Sequence, residues 1–311
     1  MTSTTATAPT LEVRALSKRY GARAAVDALS FSCSPGTVTG FLGPNGAGKS
    51  TTLRILTGLA EADDGMALIG GRRYRALESP ARTVGVMLDA RALNGGRTGI
   101  ETLRLTARTL GMPRDRAEEV LETVGLEQAA TKRVGGYSYG MRQRLGIGVA
   151  LMGDPSVLVL DEPANGLDPE GIRWMRRLLR SFADAGGTVL LSSHQLREVE
   201  ATVDRLVVIS EGRLVREGPL EELTAVAGTR VAALDQAALR RALDAHGIAF
   251  ELRAGGELVV SLAPEDMGRL ALREQLVLTS LGAGAGTGLE EVFFALTGHE
   301  EPSADEPAPA L

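Results

Sequence analysis

The chain has 311 residues and a formal net charge of −5, and 44% of its residues are hydrophobic. This composition is typical of a globular protein, and the length allows one large domain and a smaller one. The weakly acidic balance argues against a nucleic-acid-binding surface, and the single cysteine, Cys33, excludes an internal disulfide. A membrane-spanning helix needs an apolar run of about 18 residues or more, and the sequence contains none. The longest candidate, residues 145–160, is interrupted by Asp154-Pro155.

The N-terminal part of the chain contains two predicted strands. We expect residues 1–10 to be disordered, and Met1–Pro9 lacks the charged start and apolar core of a secretory signal. Leu11–Leu16 alternates like an edge strand, and Val26–Cys33 predicts a second strand. Tyr20 lies between them and offers a ring for stacking on a purine base, although a tyrosine that only ends a strand is the commoner case.

The segment after a third predicted strand, Val38–Leu42, fits the pattern G-x-x-x-x-G-K-[ST]. Apolar residues at helical spacing follow it, which favours a phosphate-binding turn over a glycine-rich turn without a ligand. Its backbone N–H groups and the positive end of the next helix would attract a polyphosphate. Lys49 can reach the β- and γ-phosphates, and the Ser50 hydroxyl can ligate Mg²⁺. The predicted phosphate-binding residues are Gly43, Pro44, Asn45, Gly46, Ala47, Gly48, Lys49, Ser50 and Thr51.

Three helices are predicted in the middle of the chain. Ile100–Leu110 and Ala117–Val124 carry apolar residues at helical spacing, and a third helix begins within Tyr137–Met141. Ser138 and Gly140 lie at the start of this third helix, where a hydroxyl and free N–H groups form a second anion site. A serine at such a position more often only caps its helix.

A second chemical site is predicted at the end of the strand Ser156–Leu160. Its run of apolar residues indicates a buried parallel strand, and two acids, Asp161 and Glu162, follow it directly. Ligands of open α/β sheets bind at the carboxyl ends of the strands, so both carboxylates would face the phosphates. Asp161 would hold Mg²⁺, and Glu162 would act as the general base on the attacking water.

The chain changes character after about residue 225, where a small α+β unit without a site of its own is predicted. We expect a loop at Gly282–Gly288, a helix at Leu289–Gly298 and a disordered acidic tail after residue 300. The other predicted elements of this unit are the strands Thr229–Leu234, Ile248–Leu252 and Glu257–Leu262 and the helix Gln236–Ala245.

The order of these motifs resembles the nucleotide-binding subunit of ATP-binding cassette (ABC) transporters. The phosphate loop is followed by a signature-like segment at Tyr137–Met141, by the strand that ends in two acids, by Asn165–Asp168 and by Val189–His194. The resemblance covers roughly residues 11–222 and rests on the whole set of motifs in order.

This resemblance implies an α/β fold, namely a P-loop NTPase of the ABC type with a β subdomain and a helical subdomain, plus a small α+β C-terminal domain. The nucleotide-binding domain would span residues 11–224, with the helical subdomain at about 90–150. The accessory α+β domain would span residues 225–299, and residues 300–311 would form the tail.

The resemblance also implies roles for individual residues. Tyr20 matches the aromatic residue that stacks on adenine, and Ser138 and Gly140 match signature residues that grip the γ-phosphate bound to the opposite protomer. Asp168 matches the loop that connects the two sites across the dimer. His194 matches the switch histidine at the γ-phosphate, so that His194, Glu162 and Lys49 form the catalytic set.

Two segments depart from the family pattern, namely the signature and the Gln loop. The usual signature is Leu-Ser-Gly-Gly-Gln, and the corresponding segment here is Tyr137–Met141. Tyr139 replaces the first glycine, and its ring narrows the space through which the nucleotide would approach the segment. Asp89 aligns with the glutamine of the family's Gln loop, where it can still ligate metal but adds negative charge beside a triphosphate. The expected metal ligands are therefore Ser50, Asp89 and Asp161, and the departures bear most on coupling to a membrane partner.

As a function, the resemblance implies an ATP-binding and ATP-hydrolysing subunit, with ATP and Mg²⁺ as cofactors, that powers export of a hydrophobic drug or natural product. The partners would be a separate transmembrane permease and, on ATP binding, a second cassette in a homodimer or a mixed pair, with no nucleic acid. The subunit would be cytoplasmic and peripheral on the inner membrane face. The alternatives are a soluble ABC-type ATPase that acts on ribosomes or DNA, and a regulatory cassette that does not hydrolyse ATP.

Overall fold

The chain divides by its internal contacts into two compact units, residues 1–218 and 219–311.

Residues 8–10, predicted as part of a disordered end, are held in place, because Thr188 Oγ1 donates a hydrogen bond to the carbonyl of Pro9 at 3.0 Å. His194 and the helix predicted at Leu289–Gly298 lie outside the described residues. The computed structural model describes residues 8–193, 201–224, 229–252 and 257–283.

The first unit is built on a six-stranded sheet in which the strands follow the order β5-β6-β7-β3-β8-β9. The five strands from β5 to β8 pair in parallel. The strands are β3 (Val38–Leu42), β5 (Val84–Met87), β6 (Val157–Leu160), β7 (Thr188–Ser193), β8 (Arg205–Ser210) and β9 (Arg213–Pro219).

Every residue of β3, β6 and β7 is buried. Both faces of the central sheet are therefore covered, which explains why these strands are continuous apolar runs rather than alternating ones. Because β3 and β6 each lie next to β7 and run parallel to it, their carboxyl ends open at the same edge of the sheet. The phosphate loop follows β3, and the two predicted acids follow β6.

A second, antiparallel sheet of three strands has the order β2-β1-β4, so β1, which was expected at a sheet edge, is instead the central strand. One apolar core joins this sheet to the central one, and within it the rings of Phe31 and Phe41 stack with their centroids 5.1 Å apart. This arrangement confirms the predicted β subdomain. The strands are β1 (Leu11–Tyr20), β2 (Arg23–Cys33) and β4 (Asp64–Ile69).

Helices surround these sheets, and three of them share a separate apolar core between residues 99 and 151. The first of the three begins at a capping box in which Thr98 and Glu101 satisfy each other's backbone N–H groups. The helices predicted at Ile100–Leu110 and Ala117–Val124 are confirmed to within one residue at each end, and the third begins at Tyr139, within the predicted segment. The helices of the unit are α1 (Lys49–Leu56), α2 (Pro80–Thr83), α3 (Gly99–Thr109), α4 (Arg116–Thr123), α5 (Tyr139–Leu151) and α6 (Pro169–Asp184).

The second unit has its own antiparallel sheet, with the order β11-β12-β10-β13, and its own apolar core. Its helix Gln236–Ala245 agrees with the prediction. The helix Pro264–Arg273 was not expected, and the strand Leu278–Ala283 runs into the region predicted as a loop. The elements are α7 (Leu220–Thr224), β10 (Thr229–Ala233), α8 (Gln236–Ala245), β11 (Phe250–Leu252), β12 (Leu258–Val260), α9 (Pro264–Arg273) and β13 (Leu278–Ala283).

Candidate active site

The loop between β3 and α1 has a backbone that requires glycine at several positions. Gly46 and Gly48 have φ angles of 81° and 105°, in the left-handed region that side chains disfavour. A Cβ on Gly43 would lie 2.6 Å from the carbonyl oxygen of Ile209, and one on Gly48 would clash with the carbonyl of Ala25. The strand, turn and helix predicted from the sequence are all present, with α1 beginning at Lys49.

The side chain of Lys49 is folded back over this loop. It is only 7% exposed, and its Nζ donates to the carbonyl oxygens of Gly43 at 2.5 Å and Pro44 at 3.3 Å. Burial lowers the pKa of the Lys49 ammonium, while the carboxylates of Glu162 and Asp161 oppose this shift. Nζ lies 4.0 Å from Oε1 of Glu162. A desolvated ammonium in such a loop is well placed to attract phosphate oxygens.

The two acids after β6 are tied to β7 through Ser192, which is fully buried. The Ser192 hydroxyl donates a short hydrogen bond to Oδ1 of Asp161, and its oxygen accepts from the backbone N–H of Glu162 at 2.9 Å. Glu162 has a φ angle of 50°, which is uncommon for a residue with a side chain. The structure thus fixes the backbone of the predicted base against a neighbouring strand.

A cavity of about 650 Å³ opens beside the phosphate loop and brings together most of the predicted site. Gly43, Pro44 and Ala47 are not among the residues that line the cavity, and neither are Ser138, Gly140 and Asp168. The predicted site residues that line it are Tyr20, Asn45, Gly46, Gly48, Lys49, Ser50, Thr51, Asp89, Asp161 and Glu162.

Tyr20 lies at the end of β1 and leaves 54% of its surface exposed. It pairs with Arg23 across the hairpin of β1 and β2, and the Nζ of Lys18 is 5.7 Å from its ring centroid. An exposed aromatic ring beside the cavity offers a face on which a base could stack.

The oxygen ligands in the cavity suit a magnesium ion that enters with a nucleotide. Within the described ranges, no three His, Cys, Asp or Glu side chains form a metal cluster on their own. Mg²⁺ usually takes only one or two carboxylates from a protein and completes its shell with water and substrate phosphates. Ser50, Asp89 and Asp161 provide a hydroxyl and two carboxylates around the same cavity.

Asp89 does not leave an uncompensated charge in this cavity. Its Oδ1 accepts from the backbone N–H of Arg91 at 2.8 Å and from Nε of the same arginine at 3.2 Å. Burial by itself raises the pKa of Asp89, but the hydrogen bonds from Arg91 outweigh it, so the pKa lies below its ordinary value. The charge that the sequence adds beside the phosphates is therefore paired with a guanidinium.

The signature-like segment forms the start of α5. Oγ of Ser138 caps the helix by accepting from the backbone N–H of Met141 at 3.2 Å. The ring of Tyr139 lies against Gly166, where any Cβ would clash with it, and Tyr139 also lines the cavity. Asp168 likewise caps α6, since its Oδ1 accepts from the N–H of Gly171 at 2.7 Å. The signature-like segment and the segment that contains Asp168 thus each lead into the N-terminus of a helix.

Several residues that line the cavity were not identified from the sequence. Arg54 lies on α1 one turn after Ser50, and this spacing could have revealed it. Arg23 could not be found in that way, because it reaches the cavity from the hairpin of β1 and β2. A Cβ on Gly46 would lie 3.2 Å from Nη2 of Arg23, so its guanidinium lies over the phosphate loop. The missed lining residues that carry a polar side chain are Arg23, Arg54, Arg91, Gln143 and Asn165.

The position of Arg23 leads to a prediction about nucleotide binding. We expect Arg23→Ala to weaken ATP binding roughly twofold to fivefold at low salt, and less at high salt, because an exposed guanidinium contributes a screened attraction to the phosphates. Arg19→Ala removes an arginine from the same hairpin that does not line the cavity, and it serves as the control. Titration calorimetry at two salt concentrations measures both variants, and equal losses of affinity would contradict a local role for Arg23.

Known proteins are similar to this chain in both sequence and fold. A family model described as "ABC transporter" matches residues 26–165. The daunorubicin/doxorubicin resistance ATP-binding protein DrrA of Streptomyces peucetius is 36% identical over 318 residues, 96% of each chain. The Nod factor export ATP-binding protein I of Ralstonia nicotianae is 38% identical over 306 residues, 94% of this chain and 95% of the relative. A solved ATP-binding subunit of an ABC transporter is 30% identical with a TM-score of 0.63, over 68% of this chain and 91% of that one.

The fold and the site together define a P-loop ATPase, with a glycine loop and lysine for phosphates and two carboxylates at the adjacent strand end. The matches with relatives of nearly equal length extend this conclusion. The chain belongs to the ABC transporter family, and it is an ATP-binding cassette that hydrolyses ATP.

Proposed function

We propose that this ATPase powers the export of a hydrophobic drug or natural product through a separate permease. The observation that carries the proposal is the match over 96% of both chains with a relative named for daunorubicin and doxorubicin resistance, which includes the second unit. A further relative, 42% identical over 67% of this chain and 69% of its own length, is named as a bacitracin transport ATP-binding protein from Bacillus licheniformis. These names favour transport over action on ribosomes or DNA.

A permease in a separate polypeptide agrees with the helices of this chain. None of those in the described ranges combines the length and the apolar character needed to cross a bilayer. The subunit would then work at the cytoplasmic face of the membrane, bound to its permease. Two cassettes would close head to tail around ATP, each presenting Ser138 and Gly140 from the start of α5 to the nucleotide held by the other.

Within each cassette, the residues divide the work by their chemistry. Tyr20 would stack on the adenine, and the backbone of the phosphate loop with Lys49 would hold the phosphates. Ser50 and Asp161, with Asp89, would hold Mg²⁺. Glu162 would take the proton of the attacking water. His194, outside the described residues, would contact the γ-phosphate, and Asp168 would link the two sites of the dimer.

Drug susceptibility tests the proposal directly. We expect a sensitive bacterial host that expresses this chain together with a candidate permease to tolerate a higher concentration of at least one hydrophobic antibiotic. The host that carries Glu162→Gln in the same pair should stay sensitive, because that cassette would bind ATP without turnover. Stimulation of the ATPase by ribosomes or DNA instead of the permease would contradict the proposal.

A further inference from the structure

The peptide of Glu162 has an unfavourable backbone conformation that its surroundings must maintain. Its φ angle of 50° lies in the left-handed region, where a residue with a side chain is uncommon. Such a conformation persists only when neighbouring groups fix it, and it often marks a functional position. The carboxylate of Glu162 points from this peptide into the cavity with Lys49, whose Nζ is 4.0 Å from Oε1.

Two side chains hold the backbone of Glu162, one at its N–H group and the other at its carbonyl oxygen. The N–H of Glu162 donates to Oγ of Ser192 on β7 at 2.9 Å. The carbonyl oxygen of Glu162 accepts from Nε2 of Gln143 at 3.1 Å, and Gln143 belongs to α5. The helix that carries the signature segment therefore contacts the backbone of the predicted base directly.

Packing alone does not favour glutamine at position 143. Its side chain is buried with 2% exposure, and Oε1 has no hydrogen-bond partner among the described residues. Burying an unpaired acceptor costs stability, so an apolar residue of similar length would avoid that cost. Within the part of the chain that the structure describes, the amide is thus accounted for by the hydrogen bond that its Nε2 donates to the carbonyl of Glu162.

We propose that Gln143 is a positioning residue that keeps the peptide of Glu162, and hence its carboxylate, in the geometry for hydrolysis. This inference rests on the proposed role of Glu162 as general base. Gln143 acts through the backbone of Glu162 and need not touch the nucleotide. Its loss would therefore slow turnover without weakening ATP binding, since a displacement of about 1 Å at a reacting group can cost up to 10²-fold in rate.

Gln143→Met tests the proposal, because methionine has nearly the same length and volume and lacks the donor. We expect kcat of the full 311-residue chain to fall roughly tenfold or more, while the ATP dissociation constant and Tm stay close to wild type. Gln236→Met is the matched control, since Gln236 also buries an unpaired Oε1 but lies in the second unit. Its kcat should equal that of the wild type.

A double variant separates positioning from a general structural role. If Gln143 acts through the Glu162 carboxylate, Glu162→Gln with Gln143→Met should hydrolyse ATP no more slowly than Glu162→Gln alone in single-turnover experiments. If the double variant instead loses rate by the product of the two single-variant losses, the proposal is overturned. So would a joint loss of ATP affinity and kcat in Gln143→Met, which would indicate disruption of the site as a whole.

The same measurements distinguish the two assignments from each other. A Gln143→Met chain with wild-type kcat, beside an inactive Glu162→Gln chain, would remove the role of Gln143 and leave Glu162 as the base. A Glu162→Gln chain with wild-type kcat would remove the base assignment and the positioning role together.

Discussion

Exchange of Glu162 for glutamine is expected to slow ATP hydrolysis by roughly 10²- to 10⁴-fold while ATP binding is retained. Glutamine keeps the size of the side chain, but its amide cannot accept a proton from water. The carboxylate lies in the cavity with Lys49 and Ser50, at the carboxyl end of β6, where the γ-phosphate and its attacking water would meet. Single-turnover hydrolysis and nucleotide titration measure the two effects separately.

Glu211→Gln provides a closely matched control for this variant. Glu211 is also a glutamate with a positive φ angle, 49° against 50° for Glu162, but it lies on the exposed turn between β8 and β9. Any general effect of replacing a carboxylate at such a backbone position should appear in both variants. If Glu162→Gln hydrolyses ATP slowly while Glu211→Gln hydrolyses it at the wild-type rate, the loss of rate is specific to the carboxylate in the site.

The solution mass of Glu162→Gln with and without ATP adds a second readout. A nucleotide that is bound but not hydrolysed should hold two cassettes together, so the mass should double only with ATP. A chain that binds ATP and stays monomeric would mean that closure needs the permease or a different cassette, or that Tyr139 blocks it. Turnover near the wild-type rate would show that Glu162 is not the base.

The phosphate loop and the acids after β6 were predictable because each belongs to a short, continuous segment. The glycines before Lys49 allow a tight turn of the backbone, which is recognisable from the local sequence alone. The apolar run before Asp161 has the pattern of a buried parallel strand. The sheet then brings the two segments to the same edge, because β3 and β6 flank β7 in parallel. No detail of packing was needed for that conclusion.

Other parts of the site depend on contacts between distant segments. Arg23 is brought over Gly46 by a hairpin, and the hydrogen bond from Gln143 to the carbonyl of Glu162 forms only because α5 packs beside the end of β6. Neither residue fits a local motif. The charge of Asp89 likewise looked unfavourable from the sequence, and only the structure shows that Arg91 pairs with it.

The helix Pro264–Arg273 was missed for a different reason. Proline stands at its first turn with Glu265 and Asp266, which favour a helix start, and Met267 and Leu270 bury one face. This signal was present in the sequence. The segment is short and lies in a unit without chemical motifs, so no neighbouring site residue marks where its helix begins.

Replacement of Lys49 by alanine is expected to weaken ATP binding by roughly 10²-fold or more, since two hydrogen bonds from an ammonium to phosphate contribute about 1.5 to 3 kcal/mol each. Lys49 is already largely desolvated, because its side chain is buried against the loop carbonyls of Gly43 and Pro44. When a nucleotide binds, the further free-energy cost of removing water from the Lys49 ammonium is therefore small. The loop amides remain in Lys49→Ala, but they carry no full positive charge.

Thermal unfolding separates this loss of affinity from damage to the fold. A ligand raises Tm in proportion to the logarithm of its concentration over its dissociation constant, so the ATP-induced rise should largely disappear in Lys49→Ala. Without ATP, Tm should stay near the wild-type value, because alanine removes a buried charge but also the hydrogen bonds from Nζ to the carbonyls of Gly43 and Pro44. Lys132→Ala, which removes an exposed lysine that does not line the cavity, should keep the full rise. An undiminished rise in Lys49→Ala would mean that the loop amides alone hold the phosphates.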